Sequence, residues 1–263
     1  MLTAAVSRIQ QIFRALSAWI LLPFTRGGRQ LLAWLHSSQV FESARATQSL
    51  PQLCWAQDGE DLLFAELFPA SGFYVDIGAH HPDRYSVTKL LYQRGWNGLN
   101  VDASPGFKQL FDTRRPTDTN IESLVGSPRT EVFYEFSESA LSTLNLARAK
   151  QLQQLGWELR SQRNIEVRDL NVLLQENMAQ QTRIDLLSID VEGEELNLLS
   201  TLDWNKWDIQ RCLIEIVEPA YLIPEHPVAQ QLLKQGFKLT RVWGRSCLFE
   251  RNFQADELDR SLS

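Results

Sequence analysis

The stretch Phe73-Tyr74-Val75-Asp76-Ile77-Gly78-Ala79-His80-His81-Pro82 decides the fold. Its first five residues are an apolar run rich in aromatic and β-branched side chains, the pattern of a buried strand. Gly78 follows at once, where a chain leaving a strand close to a ligand needs a residue without a side chain. Strands buried on both faces belong to parallel sheets covered by helices above and below.

The chain on either side obeys the same rule, alternating strand-like runs with helical patterns. Leu99 to Val101 reads as the second strand and Asn120 to Val125 as the third. Ile184 to Ile189 reads as a central strand, Cys212 to Val217 as a fifth, and Lys238 to Val242 with Cys247 to Glu250 as a terminal hairpin around Gly244. Helical patterns fall at Asp58 to Phe68, Thr88 to Arg94, Phe107 to Thr113, Ala147 to Leu155, Leu170 to Met178, after Gly193 through Leu199, and Val228 to Gln235. Glu131 to Phe136 reads as a β insertion.

Composition excludes several classes. The 263 residues are 44% apolar and 22% charged, which is neither a disordered tail nor a collagen-like repeat. A net charge of −6 gives no basic domain for a nucleic-acid groove, so no nucleic-acid partner is expected. The three cysteines, Cys54, Cys212 and Cys247, are widely spaced and form no CxxC pair or Cys/His cluster. Neither a disulfide framework nor a metal site is expected, and a reducing, cytoplasmic compartment suits the chain.

The N-terminal arm differs from the body. Residues 1–41 carry Arg8, Arg14, Arg26 and Arg29 and no acid. Ile9, Ile12, Phe13, Leu16, Trp19 and Ile20 recur at helical spacing, with Arg8, Gln10, Gln11, Arg14 and Ser17 opposite. Pro23 should stop this amphipathic helix. The run from Ala15 to Phe24, apolar apart from Ser17, is too short to span a bilayer, which takes about 20 residues. The stripe is expected to pack on the domain or on another chain; the alternative is peripheral contact with the inner membrane face through residues 7–22. The division expected is a helical arm at 1–48, one α/β domain at 49–255 and a tail at 256–263.

Asp76, Asp102 and Asp190 each fall at the C-terminal end of a predicted parallel strand. In open α/β sheets that rim is where ligands bind. A single strand-end acid is as easily a helix N-cap, but three on one rim point to a site. The turn after Asp76 is not GxGxxG, and without its second and third glycines a dinucleotide pyrophosphate is disfavoured. That argues against an NAD-dependent oxidoreductase. A nucleoside without phosphates tolerates the sparser loop, and Asp102 is placed to accept ribose hydroxyls. The set favours S-adenosylmethionine.

Tyr74 to Pro82 and Leu91 to Pro105 resemble the FkbM family of SAM-dependent methyltransferases. Arg115-Pro116, Asn120-Ile121-Glu122, Ala140 to Leu144 and Ile184 to Gly193 follow in the matching order, and Gln57 to Asp61 matches upstream. The resemblance covers roughly residues 55–250, and His80, His81 and Pro82 stand where many members have Asn-x-Gly. It implies a class I methyltransferase, Rossmann-like fold with a seven-stranded, mostly parallel sheet and helices on both faces. By the same resemblance Asp76, Gly78 and Ala79 line the methionine part of the cofactor, and Asp102 holds the ribose. Glu122 and Ser123 lie near the adenine, and Asp190 and Glu192 face the sulfonium and the acceptor.

Methyl transfer to a hydroxyl needs alignment and a group to take the proton. Asp190, Glu192, His80 and His81 are the candidates, histidine having the better unperturbed pKa of about 6.5. Ser142 and Thr143 are candidates for acceptor or cofactor contact, or for capping the next helix. The expected activity is O-methylation of a sugar, a glycoconjugate precursor or a small metabolite, the substrate class resting on family analogy. The alternative is a scaffold protein that kept the fold and works through its N-terminal helix.

Overall fold

The structure, a computed structural model, describes residues 54–61, 67–178, 181–191 and 193–251. The arm, the C-terminal tail, Glu192 and residues 62–66 of the helix predicted over Asp58 to Phe68 lie outside the described residues, and Asp58 to Glu60 form a turn rather than the start of that helix. In chain order the strands are β1 (Phe73–Ile77), β2 (Asn97–Asp102), β3 (Thr119–Glu122), β4 (Leu124–Val125), β5 (Arg129–Phe136) and β6 (Leu159–Arg168). They continue as β7 (Arg183–Ile184), β8 (Leu186–Ile189), β9 (Asp208–Ile209), β10 (Arg211–Glu215), β11 (Phe237–Trp243) and β12 (Ser246–Arg251). The helices are α1 (Lys89–Gln93), α2 (Phe107–Arg114), α3 (Leu146–Gln154), α4 (Leu170–Asn177), α5 (Glu195–Thr201) and α6 (Pro227–Lys234).

Seven strands form the main sheet in the order β11-β12-β10-β8-β1-β2-β3, and within it only β12 runs against its neighbours. The chain winds outward from β1 through β2 to β3, then returns to β8 and winds the other way. Because β–α–β crossovers keep one hand, that reversal puts helices on both faces and opens a crevice between β1 and β8.

Side chains alternate across a strand, so one strand feeds two cores. Val75 and Ile77 of β1 join Leu99, Val101, Leu187, Ile189, Cys212 and Ile214 under α4, α5 and α6. Tyr74 points the other way, with Leu186, Leu213, Leu248, Leu91 and Trp96. β8 is buried along its whole length, which is why its sequence reads as continuously apolar. Helix ends are fixed locally: Asn145 Oδ1 accepts the Ala147 and Arg148 N–H groups at 2.9 and 3.1 Å, and Asp169 Oδ1 accepts that of Val172 at 3.0 Å. Among the described residues no helix is long and apolar enough to cross a membrane.

Three predicted boundaries change. The third strand divides at Ser123: β3 stays in the main sheet while β4 pairs with β6. The central strand divides at Asp185, whose carboxylate accepts the Phe73 N–H at 3.0 Å, and β7 pairs separately with β9. The β insertion, expected only at Glu131 to Phe136, is a three-stranded sheet, β4-β6-β5, centred on the long strand β6. Arg163 of β6 donates to the Ala103 carbonyl at 2.7 Å, tying that sheet to the end of β2.

Candidate active site

The ends of β1, β2, β3 and β8 share one rim. Ile77 lies level with Val101 and Ile189, and Asp102 with Glu122. The Gly78 N–H donates to the Val101 carbonyl at 2.9 Å, and the Asp190 N–H to that of Ile77 at 3.0 Å. The two loops therefore touch at Gly78, which has φ of 80°. A Cβ at Gly78 would collide with the Asp190 carbonyl oxygen. Only glycine fits both the angle and the space.

A cleft of about 380 Å³ opens on this rim. Of the residues singled out by sequence, Gly78, His80, Asp102, Ser123 and Asp190 line it, as do Ser142 and Thr143. Asp76, Ala79, His81 and Glu122 are not among its lining residues, and Glu192 lies outside the described residues.

Asp102 holds its own loop. Its Oδ2 accepts the His80 N–H at 2.9 Å and its Oδ1 the Ser104 N–H at 2.7 Å. Each oxygen keeps a further lone pair for another donor. Asp76 lies on the Tyr74 side of β1, beneath the loop. It is 3% exposed and accepts the Thr88 hydroxyl at 2.7 Å. Burial pushes its carboxyl up, opposed by the Thr88 hydrogen bond and the Arg115 charge.

Arg115 is fully buried. Its guanidinium donates to Thr88 Oγ1 at 2.8 Å, the Pro82 carbonyl at 2.6 Å and Ser86 Oγ at 2.5 Å. One side chain thus gathers the loop from Pro82 to Thr88. Among the described residues the two non-glycine residues at positive φ are Tyr85, at 56° inside that loop, and His80, at 51° just before it, a strain that persists only where surroundings fix it. His81 Nδ1 accepts the Asp83 N–H at 3.0 Å and so turns the loop.

His80 Nε2 lies 2.9 Å from Ser139 Oγ. Burial lowers its pKa despite the carboxylates of Asp102 and Glu138, leaving a neutral imidazole at neutral pH. Burial raises Glu138, but the Arg84 hydrogen bond and charge, at 2.8 Å, outweigh it and hold the carboxyl below its usual range.

The opposite wall carries residues that the sequence reading left without a role: Asp58, Glu60, Glu215, Arg245 and Ser246. Arg245 Nη1 pairs with Glu215 Oε1 at 2.6 Å, and the Arg245 N–H donates to Asp58 Oδ2 at 3.1 Å. Burial pushes Glu215 up against the pull of Arg245, and Glu215 also shares a hydrogen bond with Asp190. Glu60 is 4% exposed, and burial lifts its carboxyl to about 7. A signal for Glu215 was available, since it ends β10 as Asp190 follows β8. Among the described residues no group of three His, Cys, Asp or Glu side chains is arranged to hold a metal.

Comparisons with known proteins find methyltransferases. The methyltransferase sdnD of Sordaria araneosa is 40% identical over 60 residues, a stretch that covers 22% of this chain and 22% of that protein. A crystal structure of a TehB-like SAM-dependent methyltransferase from Corynebacterium glutamicum overlaps with a TM-score of 0.42 at 13% identity, over 80% of this chain and 95% of that one. The profile of the methyltransferase FkbM domain matches residues 76–239, well over half of the chain, from the end of β1 into β11. A doubly wound sheet with its cleft at the β1–β8 reversal, read through that match, makes the chain a member of the FkbM methyltransferase family.

Proposed function

We propose that the protein binds S-adenosylmethionine at the β1–β8 rim and methylates a hydroxyl of a sugar, a glycoconjugate precursor or a small metabolite. The observation that carries this reading is Gly78, a cradle that a Cβ would fill, beside an aspartate at the end of the neighbouring strand. The residues fit the group. The loop offers one glycine and no phosphate-binding run, which suits a nucleoside bearing an amino acid better than a dinucleotide.

When bound, S-adenosylmethionine supplies a methyl already activated by its sulfonium. Gly78 lets the loop approach the methionine part, backed by Asp76 and Ala79. Asp102 offers its free lone pairs to the ribose hydroxyls. Glu122, which ends β3, and Ser123 after it stand on the adenine side. Asp190 faces the acceptor from the turn after β8, His80 stands between the two subsites, and His81 shapes the loop; the role that the resemblance gives Glu192, on the acceptor side, is kept as part of this proposal. Holding the acceptor oxygen in line with the methyl is the protein's main contribution, since orientation supplies about 7–11 kcal/mol in favourable cases.

Asp102→Asn tests the placement of the ribose. It keeps the side-chain shape and removes the charge, so calorimetric affinity for S-adenosylmethionine should fall about tenfold or more, about 1.4 kcal/mol. Unchanged affinity with an intact circular dichroism spectrum would refute it.

A further inference from the structure

We propose that Glu60 is the catalytic base, the group that takes the proton from the acceptor hydroxyl; this rests on the methyltransferase reading above. Among the described residues five carboxylates line the cleft, and all but Glu60 are tied to Arg245, to one another or to the cofactor loops. Asp58 and Glu215 share Arg245. Asp102 holds two loop N–H groups, and Asp190 shares a hydrogen bond with Glu215.

Glu60 is different in kind. Its donors are neutral: the Ser246 hydroxyl to Oε1 and the Asp58 N–H to Oε2, each at 3.0 Å. Among the described residues it forms no ion pair. The charges facing it from its own segment are Asp58 and Asp61, both negative, while Arg245 from the β11–β12 turn is engaged with Asp58 and Glu215. A carboxylate sealed from water, without a cation and beside like charges, gains by taking a proton. A value of about 7 keeps it part-ionised at neutral pH, where a base is most effective.

The chemistry balances. The acceptor O–H bond breaks and its proton goes to Glu60, while the acceptor oxygen forms a new bond to the methyl carbon. The electron pair of the broken carbon–sulfur bond stays on sulfur, which becomes a neutral thioether. Glu60 returns its proton to solvent when the products leave.

The test uses the full chain, labelled with carboxyl-¹³C glutamate, beside Glu60→Gln and Glu60→Asp. NMR titration should show one glutamate ionising near pH 7 in the wild type and missing from Glu60→Gln. Transfer of tritiated methyl from S-adenosylmethionine to methyl glycosides of neutral sugars should rise with pH through that ionisation. Glu60→Gln should lose about 10²–10⁴-fold in kcat together with that rise, and Glu60→Asp should recover part of both. Calorimetric affinity for S-adenosylmethionine should stay within threefold in both variants. A Glu60 ionised from pH 5 upward, or a Glu60→Gln enzyme with the wild-type pH profile, overturns the assignment. Wild type that binds no S-adenosylmethionine overturns the methyltransferase reading instead, and wild type that binds it but methylates none of the sugars overturns the sugar acceptor, the titration still deciding Glu60.

Discussion

Gly78 and Gly95 both sit at positive φ, 80° and 91°, but only Gly78 has a neighbour in its way. An alanine at Gly95 meets nothing within 4 Å, so it bears the cost of the left-handed backbone alone, about 1–2 kcal/mol. Gly78→Ala adds the collision with the Asp190 carbonyl and should cost measurably more in urea unfolding, with loss of cofactor binding. Equal losses for the two variants would mean that the rim is looser than described. Glu60 makes a prediction of opposite sign to most carboxylates. Its pKa rises from 4.5 to about 7 on folding, so between those values the folded state binds more protons than the unfolded one. Stability therefore falls as pH rises from 4.5 to 7, by up to ~3 kcal/mol, and the penalty is complete above 7. Thermal melts at pH 4.5 and 8 should show Glu60→Gln gaining on wild type at the higher pH; a constant difference would contradict the burial of an ionisable Glu60. The strand-end position of Asp76 was legible in sequence. Its strand alternation was legible too, since Val75 and Ile77 face one core and Asp76 must share the face of Tyr74. The environment of Glu60 was not, because Ser246 and Asp58 come from opposite ends of the domain.

The loop from Ala79 to Thr88 is the element on which the cleft depends, and Arg115 is what shapes it. Its three bonded acceptors lie in or just beyond that loop, at Pro82, Ser86 and Thr88. Removing the guanidinium takes a donor from these buried acceptors, a loss of about 1–3 kcal/mol for each one left unsatisfied. Arg115→Met keeps the volume, so it should melt earlier and exchange amide hydrogens faster across residues 79–88 while the central strands stay protected. Uniform exchange across the sheet would show that Arg115 serves the whole core rather than the loop. Arg115-Pro116 was visible as part of the family pattern, but nothing in spacing says that a guanidinium is buried. Strands show the same divide. β1, β8 and β10 announce themselves because both faces are apolar. β6 does not: its residues alternate between half-buried and exposed, with Arg160, Gln162, Asn164 and Glu166 on the wet side, so the pattern carries little hydrophobic contrast. The breaks at Ser123 and Asp185 were hidden for a related reason, since a strand that changes partner keeps its extended backbone and its apolar character.

At the scale of the molecule, one reversal in strand order puts the cleft between β1 and β8, and the small sheet closes its β2 side through Arg163 and Phe133. A ligand that binds only the folded chain stabilises it by mass action. At a hundredfold excess over its dissociation constant S-adenosylmethionine should add about 2.7 kcal/mol, a Tm rise of about 5–10 °C for a domain of this size. The sheet order was foreseeable from the alternation of strands and helices once the family resemblance was seen; the chemistry of the acceptor wall became visible only when Asp58, Glu60, Glu215 and Arg245 met in space. The central claim is that this rim takes a phosphate-free nucleoside cofactor. Calorimetric titration of the full chain with S-adenosylmethionine, and separately with NAD, tests it most directly. One equivalent of the former at micromolar affinity, and no heat from the latter, is the result expected; binding of NAD, or of neither, would contradict the account.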